Sequence, residues 1–179
     1  MNYHNPVLLH ESIDALSIKE DGVYVDVTYG GGGHSKEILR RLGKNGRLFG
    51  FDQDPDAQNN ILEDDRFVLI PENFRYISRF LRFHGVRKVD GVLADLGVSS
   101  HQFDQADRGF SIRFDGDLDM RMNQNQVLSA KELINEYELD DLSRIFKLYG
   151  ELNNAYALSK AIVEFRQNQE INTTEDLKI

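Results

Sequence analysis

The chain has 179 residues, a formal net charge of −9 and no cysteine, and 40% of its residues are hydrophobic. This length allows one sizeable core with a small helical addition, and the absence of cysteine excludes disulfides, thiolate metal sites and cysteine nucleophiles. No apolar run approaches the roughly 18 residues that a membrane span needs, and the N-terminus lacks the order of a signal peptide, so we expect a cytoplasmic protein without a membrane partner. The acidic charge argues against a broad basic surface for nucleic acid.

Short runs of strand-forming residues alternate with helical segments from residue 23 to about residue 100. The predicted strands are residues 23–27, 47–51, 67–70 and 89–96, and the predicted helices between them are residues 34–42, 55 to about 62, and 74–83. This alternation is typical of a parallel sheet built from βα units. The predicted fold class is therefore α/β.

The chain changes character after residue 104, where a polar segment rich in Asp, Gly and Gln runs to residue 127 without a strand signal. Ser129 and Glu132 then have the spacing of a capping box, which predicts a helix whose apolar positions continue to Phe146. A second helix is predicted over residues 155–165. These features divide the chain into a sheet part, residues 1–104, and a helical part, residues 105–179.

The end of the sequence carries a further helix signal. Thr173 or Thr174 is a candidate helix cap, yet only a few residues follow before Ile179. A helix needs more turns than these to offset its nucleation cost. We therefore expect the natural protein to continue.

A glycine-rich loop, DVTYGGGGHS at residues 26–35, lies between the first predicted strand and the first predicted helix. An open α/β sheet binds its ligand at such a turn, where glycine lets the backbone turn sharply and lets a ligand approach closely. The spacing of Asp26, Gly30 and Gly32 is typical of S-adenosylmethionine enzymes, whereas the dinucleotide fingerprint requires glycine where Ser35 stands. A flexible glycine turn is the alternative interpretation.

Two acidic residues end other predicted strands at the same edge of the sheet. Asp52 follows the second strand, 22 residues after Gly30, near the distance at which an acid accepts hydrogen bonds from ribose hydroxyls. Asp95 lies where the fourth strand meets its loop, and a carboxylate there can accept a hydrogen bond from an amino group and orient it toward a methyl donor. Alternatively, Asp52 is a turn residue and Asp95 caps a loop, as Asp54 before Pro55 caps a helix.

One acidic cluster has the appearance of a metal site. Asp115, Asp117 and Asp119 resemble the first ligands of a calcium loop. However, Met120 stands in place of the required glycine and Gln126 in place of the closing Glu. We therefore predict no metal site.

Six segments of the sequence closely resemble the MraW family of ribosomal RNA small subunit methyltransferases. They are HNPVLLHES at 4–12, DVTYGGGGHS at 26–35, DQD at 52–54, DGVLADLGVSSHQFD at 90–104, RGFSIRFDGDLDMRM at 108–122 and KAIVEFR at 160–166. The resemblance implies a Rossmann-like class I S-adenosylmethionine methyltransferase core, incomplete here, with an inserted helical domain. In the family the chain returns after this insertion to finish the sheet.

The resemblance also implies an activity, a cofactor and a site. Members use S-adenosyl-L-methionine to methylate the 4-amino group of a cytosine in small-subunit (16S) ribosomal RNA. By position, the implied site contains Gly32, Gly33 and His34 along the methionine part of the cofactor, Asp52 at the ribose, Phe74 at the adenine, and Asp95 and Gln102 near the reacting amine. Asp95 is the implied catalytic residue. The expected partner is the RNA or the 30S particle, and strands without later neighbours favour a homodimer.

The sequence departs from the family pattern in two places. Family members carry two adjacent acids and then a basic residue after the Tyr-Gly at 149–150, whereas here Glu151 is followed by Leu152, Asn153 and Asn154. This difference weakens the case that the following helix faces RNA. The returning segment, with its Ser-Phe-His-Ser-Leu-Glu-like signature, is absent, so we expect this chain to be inactive alone.

Two alternative functions remain open at this stage. The first is a non-catalytic module that binds S-adenosylmethionine or a nucleotide. The second is an NAD-dependent reductase, because Tyr156 and Lys160 have the Tyr-x-x-x-Lys spacing of short-chain dehydrogenases. The glycine loop lacks the pattern that accompanies that pair, which disfavours the reductase.

Overall fold

A parallel sheet of four strands organises the first half of the chain. In the computed structural model, which describes residues 6–178, the strands are β1 (Val23–Asp26), β2 (Arg47–Phe51), β3 (Phe67–Ile70) and β4 (Gly91–Leu93). They lie in the order β3-β2-β1-β4, and each neighbouring pair is parallel. The predicted α/β fold with a Rossmann-like parallel sheet is confirmed.

Three helices and two 3-10 turns accompany these strands. They are α1 (Leu9–Ala15), α2 (Gly33–Arg41) and α3 (Ile77–Phe83), with 3-10 turns at Pro55–Asn60 and Phe74–Tyr76. Asp54 caps the first 3-10 turn as predicted, because its side chain accepts a hydrogen bond from the Asp56 N–H at 3.1 Å. His4 and Asn5, which begin the first family segment, and Ile179 lie outside the described residues.

The two faces of the sheet bury different sets of side chains, because successive residues of a strand point to opposite sides. Tyr24 of β1 and Leu48 of β2 pack together with Ile38 of α2. On the other face, Val25 of β1 packs in a second cluster with Leu81 of α3. The sheet is therefore covered on both faces, as parallel sheets usually are.

The chain divides into two compact units, Met1–Gly97 and Val98–Ile179. The second unit contains α4 (Ser100–Asp104), α5 (Ala130–Glu136), α6 (Leu139–Leu148) and α7 (Ala155–Arg166). Its core consists of Leu118, Ile134, Leu142, Ile162 and Ile171. The domain boundary at residues 104/105 stays a prediction. Within residues 6–178, no helix has the length and apolar character that crossing a membrane requires.

The predicted helix after Ser129 is two helices in the structure. The capping box is present, with the Ser129 N–H donating to the Glu132 carboxylate at 2.8 Å, but α5 ends at Glu136. Tyr137 and Glu138 are extended, and α6 begins at Leu139. No Gly or Pro marks this break in the sequence. Packing of α6 in the core of the second unit overrides the local helix preference here.

The region around β4 also differs from the prediction. β4 covers Gly91–Leu93 instead of residues 89–96, because β1, the one described strand that pairs with it, leaves the sheet after Asp26. The segment after β4, interpreted as a loop, contains α4. Ser99 and Gln102 form a capping box that starts this short helix, and their three-residue spacing is visible in the sequence.

Candidate functional site

The glycine loop after β1 turns at two glycines with positive φ. Gly30 has a φ of 51° and Gly32 a φ of 73°, a region that carries a steric cost for residues other than glycine. The Gly32 N–H donates to the Tyr29 carbonyl at 2.8 Å, and the buried Tyr29 ring stacks on Phe67 with centroids 5.1 Å apart. A Cβ at Gly30 would find no other atom nearer than the Thr28 carbonyl oxygen at 4.0 Å, so the backbone there faces open space.

Asp52, at the end of β2, holds this loop by a direct hydrogen bond. The Gly30 N–H donates to its Oδ2 at 2.7 Å, and the Asp54 N–H donates to its Oδ1 at 2.9 Å. Burial raises the pKa of the Asp52 carboxyl, against the opposing effect of these backbone donors. The Gln53 N–H also acts to lower this pKa, so three backbone donors surround the carboxylate.

Asp26, the first residue of the glycine-loop spacing, is a fully buried carboxyl at the end of β1. Strand alternation places its side chain on the α2 side, where the Ser35 hydroxyl donates to Oδ2 at 2.7 Å. The Thr28 N–H and hydroxyl contact Oδ1 at 3.1 and 3.4 Å. Burial raises the pKa of Asp26, whereas the Ser35 and Thr28 hydrogen bonds act to lower it. This carboxyl therefore anchors both ends of the glycine loop.

Asp95 lies two residues beyond β4 and is exposed. Its backbone N–H donates to the Thr28 hydroxyl oxygen at 2.8 Å, so the β4 loop is fastened to the glycine loop. In the described part of the chain, its carboxylate takes part in no recorded hydrogen bond or ion pair. Thr28 therefore connects the buried carboxylate of Asp26 with the backbone of Asp95, whose own carboxylate is exposed.

Phe74 begins the 3-10 turn that leads into α3, and 41% of its surface is exposed. The preceding residue, Asn73, caps this turn and donates from its side-chain amide to the Gln53 side chain at 3.0 Å. Since Gln53 directly follows Asp52, this bond ties the loop that carries Phe74 to the loop that carries Asp52. An exposed ring in this place can stack on an adenine.

Gly33 and His34 contact the N-terminal segment. A Cβ on Gly33 would lie 2.3 Å from Cγ of Pro6, so glycine is needed for this close approach. The His34 ring is buried, and its Nε2 lies 3.2 Å from the Val7 carbonyl oxygen. These contacts give both residues a packing role, and their place in the cofactor site stays a prediction.

Gln102 belongs to the second unit, where its side chain completes the capping box of α4. Its Oε1 accepts a hydrogen bond from the Ser99 N–H at 3.0 Å, and its Nε2 lies 3.6 Å from the sulfur of Met122. The side chain is buried in these contacts. Its proposed contact with the cofactor stays a prediction.

The structure therefore links the loops after β1, β2 and β4 through two hydrogen bonds, Gly30 to Asp52 and Asp95 to Thr28. Sequence reasoning placed these loops at one edge of the sheet and included Asp26 in the glycine-loop spacing, but it missed the roles of Thr28 and Ser35 as partners of Asp26. One signal was available, because an acidic residue at the end of a buried strand requires hydrogen-bond partners. The sequence could not identify those partners.

A family model for the MraW methylase family matches residues 1–179. The chain belongs to the MraW methylase family. Methylases of this family are S-adenosylmethionine-dependent, which agrees with the cofactor that the glycine loop predicts.

Curated relatives carry the name ribosomal RNA small subunit methyltransferase H. The protein of Flavobacterium johnsoniae is 66% identical over 178 residues, which cover 99% of this chain and 59% of the relative. That of Bacteroides thetaiotaomicron is 57% identical over 173 residues, which cover 97% of this chain and 57% of the relative. The chain therefore spans somewhat more than half the length of the curated relatives that it matches.

Proposed function

We propose that this chain supplies the cofactor-binding part of an enzyme that methylates the 4-amino group of a cytosine in small-subunit ribosomal RNA. The relatives named above are ribosomal RNA small subunit methyltransferases. The single observation that carries the proposal is the pair of hydrogen bonds that joins the loops after β1, β2 and β4 at the carboxyl edge of the sheet. Ligands of open α/β sheets bind at that edge.

The residues at this edge fit S-adenosylmethionine in two respects. The backbone at Gly30 faces open space, so a ligand can approach it closely. Asp52 places carboxylate oxygens at the end of β2, where an acidic side chain accepts hydrogen bonds from ribose hydroxyls. We assign the ribose to Asp52, the adenine to the exposed ring of Phe74, and the methionine part to Gly32, Gly33 and His34.

The bound cofactor would supply a methyl group attached to a positively charged sulfur. Asp95 is assigned to the cytosine, because its carboxylate is exposed beside the glycine loop and its backbone is held by Thr28. The Asp95 carboxylate would accept a hydrogen bond from the 4-amino group and so direct the nitrogen lone pair at the methyl group. The same carboxylate would receive the proton that the amine loses. Most of the rate enhancement would come from this alignment. Gln102 is assigned to the same region.

The target cytosine would have to leave its stack to reach such a site. We propose that the RNA, alone or within the 30S particle, is recognised by its folded shape and its unstacked bases. An RNA substrate of this kind places the protein in the cytoplasm. We also assign β4 a role in self-association, because Val92 is 47% exposed and β4 lies at an edge of the sheet. Sedimentation as a monomer at all concentrations would contradict the homodimer.

Replacing Asp95 by Ala in the full-length enzyme tests the proposal. We expect methyl incorporation into small-subunit RNA to disappear while titration calorimetry still measures most of the S-adenosylmethionine affinity. Asp65→Ala is the matched control, because Asp65 is exposed in the turn before β3. Unchanged turnover in Asp95→Ala would remove this residue from the mechanism. Cofactor binding without methyl transfer by the unmodified enzyme would instead favour a non-catalytic module.

A further inference from the structure

The segment from residue 73 to residue 89 is basic, although the whole chain has a formal net charge of −9. It contains five basic side chains and no acidic one, and we call these five the α3 basic surface: Arg75, Arg79, Arg82, Arg87 and Lys88. All five are exposed. Within residues 6–178, none of them is recorded in an ion pair with a carboxylate. Their charge is therefore available to a partner.

Two of these charges lie on the outer side of α3. Arg79 and Arg82 are three residues apart in the helix, a spacing that places both side chains on one face, and Arg75 lies in the 3-10 turn that precedes it. The inner face carries Leu81, which is buried in the sheet core, and Phe80, whose ring meets Phe51 edge-on with centroids 6.2 Å apart. The core contacts thus fix the orientation of α3 and direct the arginines to solvent.

Exposed aromatic rings lie among the charges. Phe83 is 84% exposed and Tyr76 is 39% exposed, and the Arg75 guanidinium lies 4.7 Å from the centre of the Tyr76 ring. An open groove of about 800 Å³ lies between α3 and the segment before β4, and Arg82, Arg87 and Lys88 are among the residues that line it. Basic side chains combined with exposed aromatic rings are the usual means of holding single-stranded nucleic acid.

We propose that the α3 basic surface binds the phosphate backbone of the RNA substrate. This inference rests on the proposed function and adds the part of the molecule that meets the RNA. Four of the five basic residues are arginine, whose planar guanidinium binds phosphate through two hydrogen bonds and stacks on bases. The surface starts one residue after Phe74, and the helix carries it about 10 Å from there. The Arg75 end of this surface therefore lies next to the loop of the proposed adenine site, and the Arg87 end lies near the start of β4.

The test removes three charges from the surface. In the variant R75Q/R79Q/R82Q, glutamine keeps the helix propensity and an unbranched polar side chain but removes the charge. The control K44Q/K147Q/K160Q removes the same charge from exposed lysines elsewhere in the chain. Binding of a fluorescein-labelled single-stranded fragment of small-subunit ribosomal RNA is measured by anisotropy at several salt concentrations. Binding of S-adenosylmethionine is measured in parallel by calorimetry.

We expect the arginine variant to bind the RNA more weakly, with the slope of log K against log salt reduced by about 2, since each phosphate contact on a single strand contributes about 0.7. Its cofactor affinity should equal that of the unmodified protein. Equal RNA binding by the variant, or an equal loss in the lysine control, overturns the inference. Binding to phosphatidylglycerol vesicles is measured in the same way. A variant that keeps RNA binding but loses vesicle binding also overturns the inference, because the surface would then bind a membrane and not RNA. Failure of the proposed function is distinct, because the unmodified protein would then not bind the cofactor, or would bind it without methylating the RNA, whatever the arginine variant does.

Discussion

The two ends of the sheet each hold an aspartate that accepts a backbone hydrogen bond, but they do so in opposite environments. At the carboxyl end, Asp26 is fully buried, and burial raises the pKa of its carboxyl. At the amino end, Asp90 is exposed and accepts from the Val23 N–H at 3.0 Å. Its ion pair with Lys19, at 2.8 Å, lowers the pKa of the Asp90 carboxyl.

The two aspartates differ in the desolvation free energy that their positions cost. An exposed ion pair requires little desolvation, whereas a buried carboxyl is stable only with its partners in place. Asp26 obtains those partners from Thr28 and Ser35, and the result is a fixed glycine loop at the edge where ligands bind. The hydrogen bond from Val23 to Asp90 at the amino end joins β1 to the start of β4, and among residues 6–178 that end has no carboxyl buried as completely as Asp26.

The largest expected effect is the loss of stability in Asp26→Ala. This change leaves the buried Ser35 hydroxyl and the Thr28 N–H without their acceptor, so we expect the free energy of unfolding to fall by about 3 kcal/mol. Asp90→Ala is the control and should cost clearly less, because water can solvate the groups it exposes. Urea unfolding of both variants measures the difference. Equal losses would mean that burial of Asp26 has no special role.

The second comparison uses two glycines with positive φ at opposite ends of the sheet. Gly30 (φ 51°) and Gly85 (φ 76°) both have open space where a Cβ would stand. Each substitution by alanine should therefore cost about 1 to 2 kcal/mol of backbone strain. Only Gly30→Ala should also weaken binding of S-adenosylmethionine, measured by calorimetry, because only Gly30 faces the proposed site. Equal affinity in both variants would separate the glycine loop from the cofactor.

The sequence was a good guide to the strands for a physical reason. Buried parallel strands require continuous apolar runs, and residues 48–51 and 67–70 have them, so β2 and β3 match the prediction fully. β4 was harder because its length depends on where its neighbour β1 ends. The break between α5 and α6 was also invisible, because it depends on tertiary packing and no Gly or Pro marks it.

The candidate site was predictable only in part. Positions at the ends of strands follow from the order of elements, so Asp52 and Asp95 were expected at one edge. The bonds that organise this edge connect residues such as Asp95 and Thr28, which are 67 positions apart in the sequence. One sequence without structure does not reveal such a pair. The packing of Gly33 against Pro6 was likewise not foreseen.

A smaller effect is expected from Thr28→Val, which removes the hydroxyl between Asp26 and the Asp95 backbone but keeps the shape of the side chain. We expect a loss of about 1 kcal/mol in unfolding free energy, the usual size of one hydrogen bond. In the full-length enzyme, kcat for RNA methylation should fall more than affinity for the cofactor. Thr28→Ser restores the hydroxyl and should restore kcat. A valine variant with unchanged kcat would show that Thr28 does not position Asp95.

The smallest expected effect concerns pH, and its sign is the informative part. The pKa of Asp26 is raised in the folded protein, so the stability that this carboxyl contributes is present below its ordinary value of 3.8 and is lost as pH rises through the raised pKa. The pKa of Asp90 is lowered, so its contribution is present above 3.8 and is lost as pH falls through the lowered pKa.

Asn substitutions at the two positions test these opposite signs. Relative to the unmodified chain, Asp26→Asn should become more stable as pH increases above 3.8, because the variant no longer has a buried group that must ionise. Asp90→Asn should become relatively less stable as pH increases toward 3.8, because the ion pair with Lys19 then forms only in the unmodified chain. Urea unfolding across this pH range measures both slopes. Slopes of the same sign would mean that the two carboxyls share one environment, which would remove the physical basis for treating the carboxyl edge as the specialised end of the sheet.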